Sequence, residues 1–123
     1  MCTTPPAHSV ACSVDPAEQL LRRLALNDEK SLAIVLTSGS APGLDGALRP
    51  KVDLLVRLGA LVAVGAATPS LKRTVELALA AGATEAEIVG VLVAVGPAVG
   101  LARVVASAPK LASAIGYDTE GEE

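Results

Sequence analysis

The sequence predicts an all-α fold, and three observations carry that prediction. No run shows sustained alternation of apolar and polar residues bounded by turns, as a half-buried strand requires. Helix punctuation recurs along the chain, with Asp15 before Pro16, Thr84 three residues before Glu87, and Gly82 and Gly116 after apolar stretches. Apolar residues make up 51% of the chain, yet there is no Phe, no Trp and one Tyr, Tyr117. The core must therefore be built from Ala, Val, Leu and Ile, side chains that suit close helix–helix packing.

With 123 residues the chain is expected to form one small domain, over 15–118. A leader at 1–14, containing Pro and Thr, is expected to be flexible, and 119–123 reads as a solvated acidic tail. "DPAE" at 15–18 puts Asp15 at an N-cap, Pro16 at the first helical position and Glu18 three residues on, a capping box for a first helix over about 16–26. "NDEK" at 27–30 restarts a short second helix through Leu32 and Val35, capped by Asn27 and ending before the Gly- and Ser-rich loop 37–47. Pro50 suits the first turn of a third helix, about 50–65, on which Asp53 and Arg57 stand four apart as a surface pair worth about 0.3 to 0.5 kcal/mol.

From Leu58 to Ala67 every residue is apolar or Gly, so this half should be buried on most sides. Thr68 is expected to cap a fourth helix with Pro69 behind it, and Gly82 to close it. "TEAE" at 84–87 is a second capping box and starts a fifth helix, which Gly96-Pro97 should end. A sixth segment then reaches about Ala106, and "APKLASAIG" makes a last short helix closed by Gly116, about six helices in all. "LVAVG" occurs at 61–65 and at 92–96, but the likeness fades beyond five residues and reads as a chance echo rather than a duplicated unit.

Charge and hydropathy narrow the function classes. The net charge is −3, and there are neither clustered Lys and Arg nor aromatic platforms, which argues against nucleic acid. Residues 88–102 carry no charge, but the run is short for a membrane span, is interrupted by Gly96-Pro97 and is bracketed by Glu87 and Arg103. The amino terminus has neither the basic segment nor the apolar run of a signal peptide, so a cytoplasmic protein is expected. So much apolar surface on a short chain, with a mean hydropathy of +0.53, points to homo-oligomerisation. Cys2 and Cys12 flank His8 in the leader, ten residues apart, which is not the spacing of a metal or redox motif. No metal or other cofactor is expected.

Three segments carry a resemblance. "LRPKVDLLVRLGALVAVGAA", "PSLKRTVELALAAGATEAEIVGVLVAV" and "VGLARVVASAPKLASAIGYD", in this order and spacing, resemble the carboxymuconolactone decarboxylase family, which includes the alkylhydroperoxidase-like proteins. The likeness covers about residues 45–118 and is most specific at "ALAAGATEAEI". It implies an all-α fold whose central helices pair between protomers, commonly as trimers or hexamers. In the family's redox branch a Cys-x-x-Cys opens the fourth helix and a His follows four residues later; the decarboxylase branch keeps the His. Counted from "ALAAGAT", those positions here are Ala67, Ser70 and Thr74, and the proton-relay Glu of the redox branch falls near Leu55.

Residues 67, 70 and 74 share one helix face, and a thiol there would be acidified by the helix amino terminus. Ala67 has no nucleophile and Ser70 cannot cycle through a disulfide, so thiol-dependent peroxidase activity is not expected. Decarboxylation or isomerisation of a small lactone needs a cation for a carboxylate and a proton donor for the developing carbanion. Thr74 and Ser70 are the catalytic candidates, and Thr68, Arg73, Arg103 and Arg57 the candidates for ligand binding. Thr74 also shares the apolar stripe of Leu71, Val75 and Ala78, where a Thr is commonly a packed residue; Lys72, Arg73 and Glu76 read as a solvated face. Arg103 follows an uncharged run, and an ion pair with Asp53 or Glu87 is preferred for it over anion binding. Two functions follow: an oligomeric, non-standard or non-catalytic binder of a small carboxylated molecule, or a cofactor-independent lyase acting on a carboxylated lactone in a pocket between subunits.

Overall fold

The computed structural model describes residues 15–41 and 43–117; the expected leader at 1–14, with Cys2, His8 and Cys12, and the expected tail at 119–123 lie outside the described residues. Six helices and no strand occur among the described residues, so the all-α expectation holds. Helices α1 (Pro16–Ala25) and α2 (Glu29–Ser38) belong to a unit that ends at Ala47. Helices α3 (Pro50–Val64), α4 (Thr68–Ala80), α5 (Glu85–Val99) and α6 (Leu101–Ile115) form a second unit that starts at Leu48. No described helix is long and apolar enough to cross a membrane.

In the first unit the sequence places α1 and its N-cap residue, Asp15, correctly, but the capping box does not form. Asp15 makes no side-chain cap bond, and Glu18 turns instead to Arg22, 2.6 Å away and one turn on. The cap of α2 is Asp28 rather than Asn27: its Oδ2 accepts from Ser31 N at 3.0 Å and from Ser31 Oγ at 2.7 Å. Asn27 is already committed, because it takes the left-handed position (φ 60) that closes α1, with its N–H donating to Leu24 O and that of Asp28 to Arg23 O. Helix α2 runs two residues further than expected because the Thr37 and Ser38 hydroxyls bond back to Ala33 O and Ile34 O. These bonds take up the hydroxyls that would otherwise favour a turn.

The second unit is built on a small aliphatic core. Leu58 and Val62 of α3, Leu71, Val75 and Ala78 of α4, Ile88 of α5 and Leu111 of α6 are buried against one another, with Ala83 beside them. Burying each Leu, Ile or Val stabilises by about 1.5 to 3 kcal/mol. Helices α3 and α5 run in the same direction, since Lys51 meets Glu87 while Gly59, further along α3, faces Val91 and Val95. Three helix ends here share one geometry. At Gly65, Gly82 and Gly116 the chain enters positive φ, and the next residue donates back to the carbonyl five residues earlier, as Ala83 N does to Ala78 O at 3.0 Å.

Three further expectations are corrected. The cap of α4 is Ala67, whose backbone is extended (φ −67, ψ 156), so Thr68 is the first helical residue instead. Helix α5 passes through Gly96-Pro97 and stops only at Gly100, whose φ of 89 and ψ of 169 suit glycine alone. The two short segments expected after it are one helix, α6, with Pro109 inside. Each of these prolines deprives the residue four positions earlier of a hydrogen bond, Val93 for Pro97 and Val105 for Pro109. Both valines are exposed, at 71% and 60%, so water can reach the freed carbonyls.

The capping box of α5 forms as expected, with Glu87 N donating to Thr84 Oγ1 at 3.0 Å and Thr84 N to Glu87 Oε1 at 2.9 Å. Lys51 Nζ completes it at 3.1 Å from Glu87 Oε2, and at the other end Tyr117 donates its hydroxyl to Glu85 Oε1 at 3.0 Å. The Thr84 N–H first, and Lys51 second, hold the Glu87 carboxyl below its ordinary range. A depressed folded-state pKa gives stability that is full above the unfolded value and is lost as pH falls through the folded one. Thr84→Ala should therefore cost about 1 kcal/mol in urea unfolding at neutral pH. The stability difference between Glu87→Gln and the parent should close as pH drops below the carboxylate range; a difference independent of pH would refute this account.

Candidate functional site

The stretch "ATPSLKRTV" forms the first turns of α4. Its buried face is Leu71 and Val75, continued by Ala78, which carry the helix into the core. Thr74 flanks this face and is half-buried, whereas Thr68, Ser70, Lys72, Arg73 and Glu76 are exposed. The Ser70 and Leu71 N–H groups both turn back to Ala67 O, at 3.1 and 3.2 Å, so the first turn satisfies part of its own donor set. Ala67, Ser70 and Thr74 thus lie along one edge of the helix that borders the core without entering it.

The three arginines singled out from the sequence have different surroundings. Arg57 is engaged, its Nε 3.1 Å from Asp53 Oδ2 on the exposed side of α3, the pair expected from the spacing. Arg73 lies on the solvated face of α4. Arg103 does not pair with Asp53 or Glu87, which are taken by Arg57 and Lys51. Its guanidinium instead lies over Gly65, with Cζ 3.0 Å from the point where a Cβ would stand. Only glycine leaves that space free, and glycine also tolerates the φ of 70 found there. No hydrogen bond or ion pair among the described residues joins Arg57, Arg73 or Arg103 to Thr68, Ser70 or Thr74.

Lys110, which sequence reasoning passed over, approaches the same joint from α6 and donates to Ala66 O at 3.1 Å. Arg103 and Lys110 therefore both serve the end of α3, where backbone carbonyls point outward and favour positive charge. The signal available in the sequence was their spacing of seven, which puts them on one face of a helix. What it lacked was the proline tolerance that makes α6 continuous. Among the described residues no group of three or more His, Cys, Asp or Glu is placed to hold a metal ion.

Because Lys110 is half-buried and bonded to a backbone carbonyl, Lys110→Met should cost about 1 kcal/mol, below the roughly 1.5 to 3 kcal/mol of a fully buried charged hydrogen bond. Urea unfolding measures this directly, and no loss would mean that the contact is incidental.

The model of the carboxymuconolactone decarboxylase family matches residues 32–113, from within α2 to near the end of α6. No curated protein and no solved structure matches the chain.

Proposed function

Because the chain belongs to the carboxymuconolactone decarboxylase family, we propose that it is an oligomeric binder of a small carboxylated molecule that keeps the frame of the family's site without its redox chemistry. One observation carries this reading. Both Cys and the single His fall within residues 2–12, so α4 itself carries no thiol and no imidazole at Ala67, Ser70 and Thr74. Among the described residues no hydrogen bond joins the Ser70 hydroxyl to a base, and a serine has no disulfide chemistry.

Arg103 is the residue proposed to hold the ligand carboxylate. It is exposed, it stands at the joint that leads into α4, and no carboxylate pairs with it among the described residues. Thr68, Ser70 and Thr74 would supply hydroxyls, with Arg73 nearby in sequence; Arg57, already paired with Asp53, is the least available cation. Assembly as a trimer or hexamer draws support from apolar residues four apart that face outward on three helices of the second unit: Val52 and Val56 on α3, Val89 and Val93 on α5, Leu101 and Val105 on α6.

A second reading, a cofactor-independent lyase, draws on the same Arg103. Decarboxylation of a lactone breaks the bond to the carboxylate carbon and delivers the electron pair into the ring carbonyl, where a nearby cation lowers the barrier. Thr74 is a very weak acid, so a water molecule held by its hydroxyl is the better proton source for the carbanion.

Given peroxide and a dithiol, the protein and its Thr74→His variant should both turn over no faster than a buffer blank; thiol-dependent turnover by either overturns the account of α4. With a carboxylated butenolide as probe, Arg103→Gln should weaken binding about tenfold or more by calorimetry, the size of one lost charge-assisted bond. Carbon dioxide released from that probe by the parent, and not by Arg103→Gln, would put the lyase reading first. Sedimentation should find a trimer or hexamer that Val56→Asp with Val93→Asp dissociates, and a monomeric parent protein would remove the assembly from the proposal.

A further inference from the structure

A different meeting of charge and apolar surface lies in the first unit. There α1, α2 and the segment after α2 enclose an open pocket of about 460 Å³, a size typical of small-molecule sites. Pro16 and Leu20 of α1, Ile34 of α2 and Ala41 form its apolar walls. The returning segment is held close: at Gly43 (φ 83) a Cβ would stand 2.7 Å from Pro16 Cβ. Apart from the Gln19 amide and Ser31, the polar side of the pocket is charged.

Arg23 and Lys30 both line it, and neither forms an ion pair with a carboxylate among the described residues. The acid in the lining, Asp28, is fixed in place, because its Oδ2 takes both the N–H and the hydroxyl of Ser31. Two cations and one acid therefore leave a single net positive charge beside apolar walls, across a space large enough for a compact organic molecule. A dianion would add charge beyond this and meet the Asp28 carboxylate, and a neutral ligand would leave the net positive charge unmatched.

We infer that this pocket binds a small monocarboxylate with a compact apolar body, the carboxylate on Arg23 and Lys30 and the body against Leu20 and Ile34. All of its lining residues except Ile34 and Ala41 precede the region matched by the family model, so the site is separate from the reading of α4 and does not rest on it.

The chain has three isoleucines, Ile34 in this pocket, Ile88 in the core of the second unit and Ile115 at the end of α6, so methyl-labelled isoleucine gives one reporter and two controls. Titration of the full chain with phenylacetate should shift the Ile34 methyl resonance saturably and leave Ile88 in place. Phenylacetamide, of the same shape and uncharged, should bind at least about tenfold more weakly. The double variant Arg23→Gln with Lys30→Gln should weaken phenylacetate by a similar factor; both side chains are exposed, and an unmoved Ile88 resonance shows that the core is intact. Arg103→Gln should leave the Ile34 titration unchanged. The inference is overturned by no saturable Ile34 shift up to about 20 mM phenylacetate, by equal binding of the amide, or by a shift that is lost in Arg103→Gln and kept in the double variant.

Discussion

A core without Phe or Trp can be filled only if helix backbones come close, and in the second unit that constraint is tightest at Gly59. A Cβ there would stand 3.2 Å from Val95 Cγ1 and 3.5 Å from Val91 Cγ1, so the hydrogen at this position sets how near α3 and α5 approach. Their parallel run brings Lys51 to Glu87 and completes the start of α5. The fixed course of α3 also sets where Gly65 ends it, and hence where α4 begins and where Arg103 and Lys110 find backbone to contact. Small side chains give little buried area per residue, and the apolar remainder, Val56, Val93 and Leu101 among it, faces outward.

Much of this fold was legible because its signals are local. The capping box of Thr84 and Glu87 needs only four residues, and Gly82 and Gly116 end helices by a backbone conformation that glycine adopts at little cost. The misreadings arose where two local signals competed. Asn27 and Asp28 can each cap a helix, and the outcome turned on Asn27 being needed in the left-handed position that closes α1. Thr68 lost the cap of α4 to Ala67 because the extended residue falls one place earlier. Pro97 was read as a break and Pro109 as the start of a new helix, yet a proline on an exposed helix face frees a carbonyl that water can satisfy. The recurrence of "LVAVG" shows how far context decides: its glycine ends α3 at Gly65 and stays inside α5 at Gly96.

The candidate site was legible as a frame only. Spacing alone put positions 67, 70 and 74 along one edge of a helix and predicted the pair of Asp53 and Arg57. The surroundings of Arg103 were not legible, because they depend on a glycine 38 positions earlier in the chain, 103 less 65, whose missing side chain leaves room for the guanidinium. An absent atom has no signature in a motif. The sequence offered carboxylates as partners for Arg103, whereas the fold gave those carboxylates to Arg57 and Lys51.

The bond between Tyr117 and Glu85 has a spectroscopic consequence. Tyr117 is the chain's one residue among Phe, Tyr and Trp, and its hydroxyl donates to a carboxylate at the first residue of α5. That bond pushes the phenol above its ordinary titration range. A phenol bonded to a carboxylate emits differently from one in water, so the ultraviolet fluorescence of the whole protein is a one-point gauge of whether the end of α6 is docked on the start of α5. The molecule carries its own label at the seam where its last helix closes.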